Sequence, residues 1–278
     1  MSNLQALPCY LNGQFSTLEK ASISVMDRGF IFGDGIYEVV PIYGGKPFRF
    51  EHHMARLERS LAEIRIPNSL SREAWRDLVD ELVKRHADSL GKPPSALDQL
   101  IYIQVTRGVA MRDHVMPADI EPTVFAMVNT MKAVSETDRA NGVACVTAED
   151  FRWEKAHIKA TSLLGAVLSR QMSADVGATE TIMFRDGYLS EAAASNVWVV
   201  KDGKVFGPPR DNLVLEGIRY GLVEELCQQE GLAFELRKIS RAEVLDADEL
   251  MLSSATKELL AITKLDGKPV GDGKPGPV

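Results

Sequence analysis

Lys159 stands in "HIKATSLLGAVLSR", among small and apolar residues where an extended segment gives way to a helical pattern. A cation on a helix's first turn gains nothing from the dipole, which favours anions there. A lysine desolvated in such a place has a lowered pKa and can attack a carbonyl carbon as an amine; the competing reading is an ordinary solvent-facing side chain. Further along, "LSEAAASNVWVV" sets Glu191 ahead of small residues and a strand that reads as buried. A carboxylate there is either exposed or held against a heterocycle nitrogen, where it keeps a proton on the ring. In "LVLEGIRYGLVEEL" a helix is expected to open at Gly217. Its free backbone N–H groups suit a phosphate, although the same residues also make an ordinary turn.

A second cluster lies in "TRGVAMRDHVMP", residues 106–117, where Arg107, Arg112 and His114 surround one acid, Asp113. A solvated loop needs no such gathering of cations, whereas a pocket for a small carboxylate does. Ser254 and Lys257 in "SATK" match the S-x-x-K pattern of serine acyl-transfer enzymes, but no S-D-N or K-T-G partner accompanies them. "GDGIY" lacks the third glycine of a dinucleotide fingerprint. Cys9, Cys145 and Cys227 are far apart and make no zinc-ligand spacing. They read as buried, reduced thiols of a cytoplasmic protein. His52 and His53 point apart on a helix and have no third ligand nearby, so no metal site is expected.

These residues need elements to position them, and the chain supplies strands and helices in blocks. The 278 residues carry 45% hydrophobic and 26% charged side chains and a net charge of −7, with basic residues dispersed. That excludes a concentrated basic face for nucleic acid. No apolar run approaches a membrane span, and the first residues read as no secretory leader. "YLNGQF" and "ASISVMD" read as short extended segments, and "GIYEVVPIYGGKPFRF" as two strands around Gly44 and Gly45. "HHMARLERSLAEI" has helical spacing, and Ser71 caps a second helix, "REAWRDLVDELVKRHA". "LIYIQVTRG" and "TVFAMVNTM" read as buried strands. The pattern loosens near "KAVSETDRANG", which places a linker at 132–136 between domains of residues 1–131 and 137–278. The second domain then reads as an extended segment, the helix after Lys159, two hairpins with Asp-Gly turns, a helix ending at Gly231, and closing strands. The class is α+β in two domains.

Taken together and in order, "DRGFIFGDGIYEVV", "HHMARLERS", "IYIQVTRG", "IKATSLLGAVL", "LSEAAASNVWVV", "LEGIRYGLVEEL" and "LMLSSATKEL" resemble the class IV, fold type IV, pyridoxal-phosphate aminotransferases, and within them the D-amino-acid branch. The resemblance implies a fold with the cofactor, pyridoxal 5'-phosphate, at the domain interface and Lys159 in the larger C-terminal domain. It implies that Lys159 bonds the cofactor covalently and shuttles the proton at the substrate Cα, and that Glu191 pairs with the pyridine nitrogen. Arg56 matches the arginine on the cofactor phosphate, Ile218 and Arg219 a backbone phosphate cup, Leu215 the residue against the ring, and Ser254, Ala255 and Thr256 a second phosphate-facing turn. Tyr37 and Glu38 match the active-site strand. Tyr37, Arg112 and His114 match a trap for the substrate carboxylate, the last two reaching the site from a neighbouring subunit.

Three departures accompany the resemblance. Ala192 to Ala194 replace a serine-rich stretch, and Arg219 and Ala255 stand where threonines are common. The implied activity is ping-pong transfer of an amine from a D-amino acid such as D-alanine, D-glutamate or D-aspartate to a 2-oxo acid such as pyruvate or 2-oxoglutarate. The implied assembly is a cytoplasmic homodimer that binds neither nucleic acid nor membrane. Alternatives of the same fold are a branched-chain L-amino-acid aminotransferase and an aminodeoxychorismate lyase; a distant one is a serine hydrolase using Ser254 and Lys257.

Overall fold

Asn12 and Gly13 both take positive φ, 45° and 91°, which is the turn geometry that joins two antiparallel strands through two residues. They connect β1 (Pro8–Leu11) to β2 (Gln14–Thr17) at one edge of a six-stranded sheet. The sheet continues through β6 (Thr123–Thr130), β5 (Gln99–Thr106) and β3 (Gly35–Tyr43) to β4 (Lys46–Pro47). This computed structural model describes residues 6–278, so the first residues of the segment read for a leader lie outside the described residues.

Side chains alternate between buried and half-buried along β3 and β5, so one face of the sheet carries the core. Two helices cover it: α2 (Phe50–Glu63) with Met54, Leu57 and Leu61, and α3 (Arg72–Ser89) with Trp75, Val79 and Leu82. Ser71 caps α3 as expected, its hydroxyl accepting from the Ala74 N–H, an arrangement typically worth about 1 kcal/mol. "ASISVMD" forms no strand. Instead Asp27 caps a five-residue helix, α1 (Arg28–Phe32), which ends at Gly33 with φ 65°. β4 is only two residues long because α2 begins at Phe50, soon after it.

The chain divides into two compact units, one running to Lys132 and including Ile158–Leu163, the other formed by Ala133–His157 and Leu164–Val278. Lys159 therefore belongs with the first unit, where the sequence reading had given it to the second. The cause is backbone pairing with β3. The Tyr37 N–H donates to the Lys159 carbonyl at 2.9 Å, the Thr161 N–H donates to the Gly35 carbonyl at 2.9 Å, and Ala160 bridges Ile36. Lys159 is thus on an extended segment rather than a helix's first turn. The expected linker at 132–136 runs straight into a short helix, α4 (Glu136–Asn141), capped by Ser135.

The second unit is built on a nine-stranded mixed sheet. β7 (Val143–Glu149) lies between β14 (Glu258–Leu265) and β8 (Glu180–Arg185), parallel to both. The hairpins β8–β9 (Tyr188–Ala192) and β10–β11 (Asn196–Lys201, Lys204–Gly207) turn at Asp186-Gly187 and Asp202-Gly203, all with positive φ. β12 (Ala233–Leu236) pairs with β11, β13 (Glu249–Ser254) joins β10 to β14, and β15 (Lys268–Pro269) pairs with β14. β8 and β10 are buried almost throughout, so each has both faces covered. The helices are α5 (Leu164–Asp175), α6 (Tyr220–Gln229) and α7 (Arg241–Leu245). α6 starts at Tyr220, later than Gly217 where the sequence suggested, because residues 217–219 form a turn ahead of it. Among the described residues no helix is long and apolar enough to cross a membrane, and no group of acidic, cysteine or histidine side chains is placed to hold a metal.

Candidate active site

In the first unit, strand alternation sends Tyr37 to the half-buried face of β3 and Glu38 into the core. The amine of Lys159 lies 4.1 Å from the centroid of the Tyr37 ring, and Tyr37 stacks on Tyr102 at 5.8 Å. Among the described residues Lys159 makes no ion pair, so its amine faces an aromatic surface with no carboxylate to hold it. Behind the strand, Glu38 accepts from Arg56 Nε at 2.7 Å and Nη2 at 2.9 Å, and lies 2.7 Å from His53 Nδ1. His53 and Arg56 are three residues apart on α2 and so share its inner face. Burial alone would raise the Glu38 pKa, but the Arg56 charge and the Arg56 and His53 hydrogen bonds outweigh it and hold the group below the usual carboxylate range. Burial lowers the His53 pKa. Because an ionised carboxylate only accepts, His53 Nδ1 carries the proton and Nε2 is the bare nitrogen; Nε2 is buried with no hydrogen-bond partner.

The cationic loop is sorted differently from its sequence order. Arg107 is buried and does not face Asp113; it donates to Asp34 from Nε at 2.8 Å and Nη2 at 3.0 Å and to the carbonyls of Ile64 and Arg65. It is an anchor. Arg112 and His114 are exposed beside the Phe32 ring, at 5.4 and 5.5 Å. Asp113 accepts at its carboxylate from the Val115 N–H, and its carbonyl takes Nη1 of Arg28.

In the second unit, Glu191 near the end of β9 is buried and accepts from Arg152 Nη1 at 2.8 Å, from Asn196 Nδ2 at 3.2 Å and from the Leu215 N–H at 3.2 Å. Arg152 also grips Asp150 with Nε at 3.0 Å and Nη2 at 2.9 Å. Burial pushes Glu191 up to about 7 against the opposing pull of Arg152. The absence of a side chain at Gly217 matters here: a Cβ would fall on the Asn196 amide oxygen, and Asn196 also donates to the Leu215 carbonyl at 2.8 Å. Ile218 and Arg219 are both buried. Arg219 donates to the Ser254 carbonyl at 2.7 Å and the Ala255 carbonyl at 3.3 Å, so one guanidinium joins the 217–219 turn to Ser254–Thr256. Lys257 turns away from Ser254: its amine lies 2.6 Å from Glu180 and 3.2 Å from Ser195 Oγ. Ser254 Oγ instead accepts from the Lys257 backbone N–H at 3.0 Å, so the serine has no lysine base, and the acyl-transfer reading falls.

Sequence reasoning missed Arg152, Asp150, His53, Arg28 and Phe32. Only His53 left a signal, its place one turn before Arg56 on the apolar side of α2. Arg152 follows Asp150 in an irregular segment where no periodicity assigns a direction.

Within the first unit a free amine lies against an aromatic face, and within the second a buried carboxyl and a guanidinium-linked pair of turns stand ready for polar partners. Comparison with known proteins shows the family. The model of the class IV amino-transferase family matches residues 35–265, and the chain belongs to that family. It is similar to the D-alanine aminotransferase of Bacillus licheniformis, with 37% identity over 96% of this chain and 91% of that one. It is also similar to the D-alanine aminotransferase of Staphylococcus haemolyticus, with 36% identity over 97% and 93%. Among solved structures, the branched-chain amino acid aminotransferase of Escherichia coli superposes with a TM-score of 0.85 at 25% identity, covering 98% of this chain and 91% of that one. The branched-chain aminotransferase of the archaeon Thermoproteus uzoniensis shares the fold at a TM-score of 0.84 and 21% identity, covering 98% and 91%.

Proposed function

We propose that the protein is a D-amino-acid aminotransferase that uses pyridoxal 5'-phosphate to move an amine from a D-amino acid, D-alanine foremost, to a 2-oxo acid. Class membership and the two D-alanine aminotransferase relatives support it. The carrying observation is the unpaired amine of Lys159 over the Tyr37 ring.

The residues present fit that cofactor. Lys159 offers an amine with no counterion, His53 Nε2 is a buried acceptor without a partner, and Glu191 is a buried carboxyl that a cationic N–H would hold ionised. By family resemblance, Lys159, Arg56, Glu191, Leu215, Ile218, Arg219, Ser254, Ala255 and Thr256 are the residues assigned to it. When bound, it supplies an electron sink for the charge that develops at the substrate Cα. Lys159 would be the base that takes the proton from the substrate Cα and later gives it up again. Glu191, steadied by Arg152 and Asn196, would pair with the protonated ring nitrogen. Tyr37, Arg112 and His114 hold the substrate carboxylate, and its position decides which enantiomer turns its Cα–H bond to Lys159.

A homodimer with this loop serving the neighbouring copy is part of the proposal. Arg112 and His114 are exposed in the single chain, and α5 presents Leu164, Val167, Leu168 and Met172 to solvent in a stripe at helical spacing. The free, buried Cys9, Cys145 and Cys227 support a cytoplasmic location.

Lys159→Ala should abolish the cofactor's yellow absorbance in the purified protein and all but a trace of amine transfer. The assay compares D-alanine with L-leucine as donors to 2-oxoglutarate. Turnover confined to L-leucine would reassign the enzyme to branched-chain substrates, and pyruvate release without an acceptor to a lyase. Near-normal activity in the Lys159→Ala protein would remove the proposal altogether.

A further inference from the structure

We propose that Phe32 and Arg28, one turn apart on α1, are positioning residues that assemble the carboxylate-binding loop; the inference rests on the reading of Arg112 and His114 as ligands of the substrate carboxylate. Two exposed, flexible side chains bind one carboxylate well only if both are already turned toward it, because ordering them on binding costs rotamer entropy. The segment between Gly108 and Glu121 contains no helix or strand that would impose this order. The Phe32 ring supplies it. The Arg112 guanidinium sits 5.4 Å from the ring centroid, the His114 ring 5.5 Å away at 40°, and the Arg28 guanidinium 4.8 Å away.

Arg28 fixes the backbone between the two ligands. It is 4% exposed, donates from Nε to Asp34 Oδ2 at 2.8 Å, and donates from Nη1 to the Asp113 carbonyl at 2.6 Å. Asp34 also takes Arg107, which is tied to two further carbonyls. The platform itself is held, since Asp27 caps α1 with one carboxylate oxygen and accepts from the Thr123 hydroxyl with the other at 2.7 Å. Two guanidinium groups on the single Asp34 carboxylate leave one positive charge, which offsets the Asp113 carboxylate next to Arg112. The gathering of cations in the loop is therefore a division of labour. Arg107 anchors, Arg28 aligns, and Arg112 binds.

The test is Phe32→Leu, which keeps apolar bulk and removes the π face, measured in the holoenzyme beside Arg112→Ala and the double variant. Losing both ring contacts should raise KM for D-alanine by about 5- to 30-fold, with kcat changed by less than about threefold and cofactor binding unaltered. Phe32→Tyr should return KM to within about threefold of the unmodified enzyme. In the Arg112→Ala background the leucine change should add little, because the group it positions is gone. Should the leucine protein not fold, Phe32→Met gives the same readout. If Arg112→Ala raises KM and the Phe32 variants do not, or if they lose cofactor and kcat in parallel with KM, the positioning role is overturned while the loop assignment stands. If Arg112→Ala itself leaves KM unchanged, the carboxylate reading fails and this inference with it.

Discussion

Glu191 and Glu38 are both buried carboxylates gripped by arginine, yet their environments push them in opposite directions. Glu38 receives two hydrogen bonds from Arg56 and one from His53, and it is held ionised. Its contribution to stability is present above the ordinary carboxylate range and is lost only as pH falls through its depressed value. Glu191 shares Arg152 with Asp150, so burial prevails and its pKa rises from 4.5 to about 7. The folded state then keeps a proton that the unfolded chain gives up, and between pH 4.5 and about 7 stability falls as pH rises. The full penalty, at most about 3 kcal/mol, is present above pH 7. In cofactor-free protein, Glu191→Gln should therefore raise the melting temperature at pH 8 and leave it unchanged at pH 4. A protonated ring nitrogen beside Glu191 reverses the sign, so the same variant should be less stable than the unmodified protein once cofactor is added. A glutamine protein already less stable at pH 8 without cofactor would show that the Arg152 ion pair outweighs desolvation.

At the scale of elements, the candidate site depends on turns that are tied to one another by side chains. The 217–219 turn before α6 and the 254–256 turn after β13 are joined by Arg219, whose donors reach two backbone carbonyls. Arg219→Ala should leave those carbonyls unsatisfied at a cost of about 1–3 kcal/mol. If both turns face the phosphate, cofactor affinity should drop by about tenfold or more. Equilibrium dialysis of pyridoxal phosphate measures this, and an unchanged affinity would remove the two turns from the phosphate site. Elements whose determinants are local were legible in sequence: α3 with its Ser71 cap, α2 with its apolar stripe, and the hairpins with Asp-Gly turns. Those fixed by distant partners were not. Pairing of residues 158–161 with β3 depends on strands more than a hundred residues away, and α1 is too short to display a period. The same division runs through the site. Lys159 and Glu191 announce themselves by polar chemistry in apolar surroundings, whereas the direction of Arg107, Arg152 and Arg219 is set by which carboxylates and carbonyls folding brings near them.

For the whole molecule, the decisive question is whether one chain completes its own site. A two-fold dimer repeats the same contacts at both sites, so a residue lent to the partner is also borrowed from it. Consider an inactive Lys159→Ala protein and a weakened Arg112→Ala protein, unfolded together, refolded with cofactor and mixed in equal amounts. If Arg112 serves the neighbouring copy, the hybrid dimer contains one site with an intact Lys159 from one chain and an intact Arg112 from the other. Random pairing makes half the dimers hybrid with one good site each, restoring roughly a quarter of the unmodified activity at low D-alanine. If Arg112 serves its own chain, every site in the mixture carries one defect and nothing returns. The apolar stripe on α5 gives an independent check on assembly, because burying Leu164, Val167, Leu168 and Met172 against a second copy removes exposed apolar surface that a lone chain leaves in water. Leu168→Glu should shift the protein toward monomer in light scattering if that stripe is the contact. It should also abolish the complementation while leaving the absorbance of bound cofactor in place, since an intermolecular loop is useless without its neighbour.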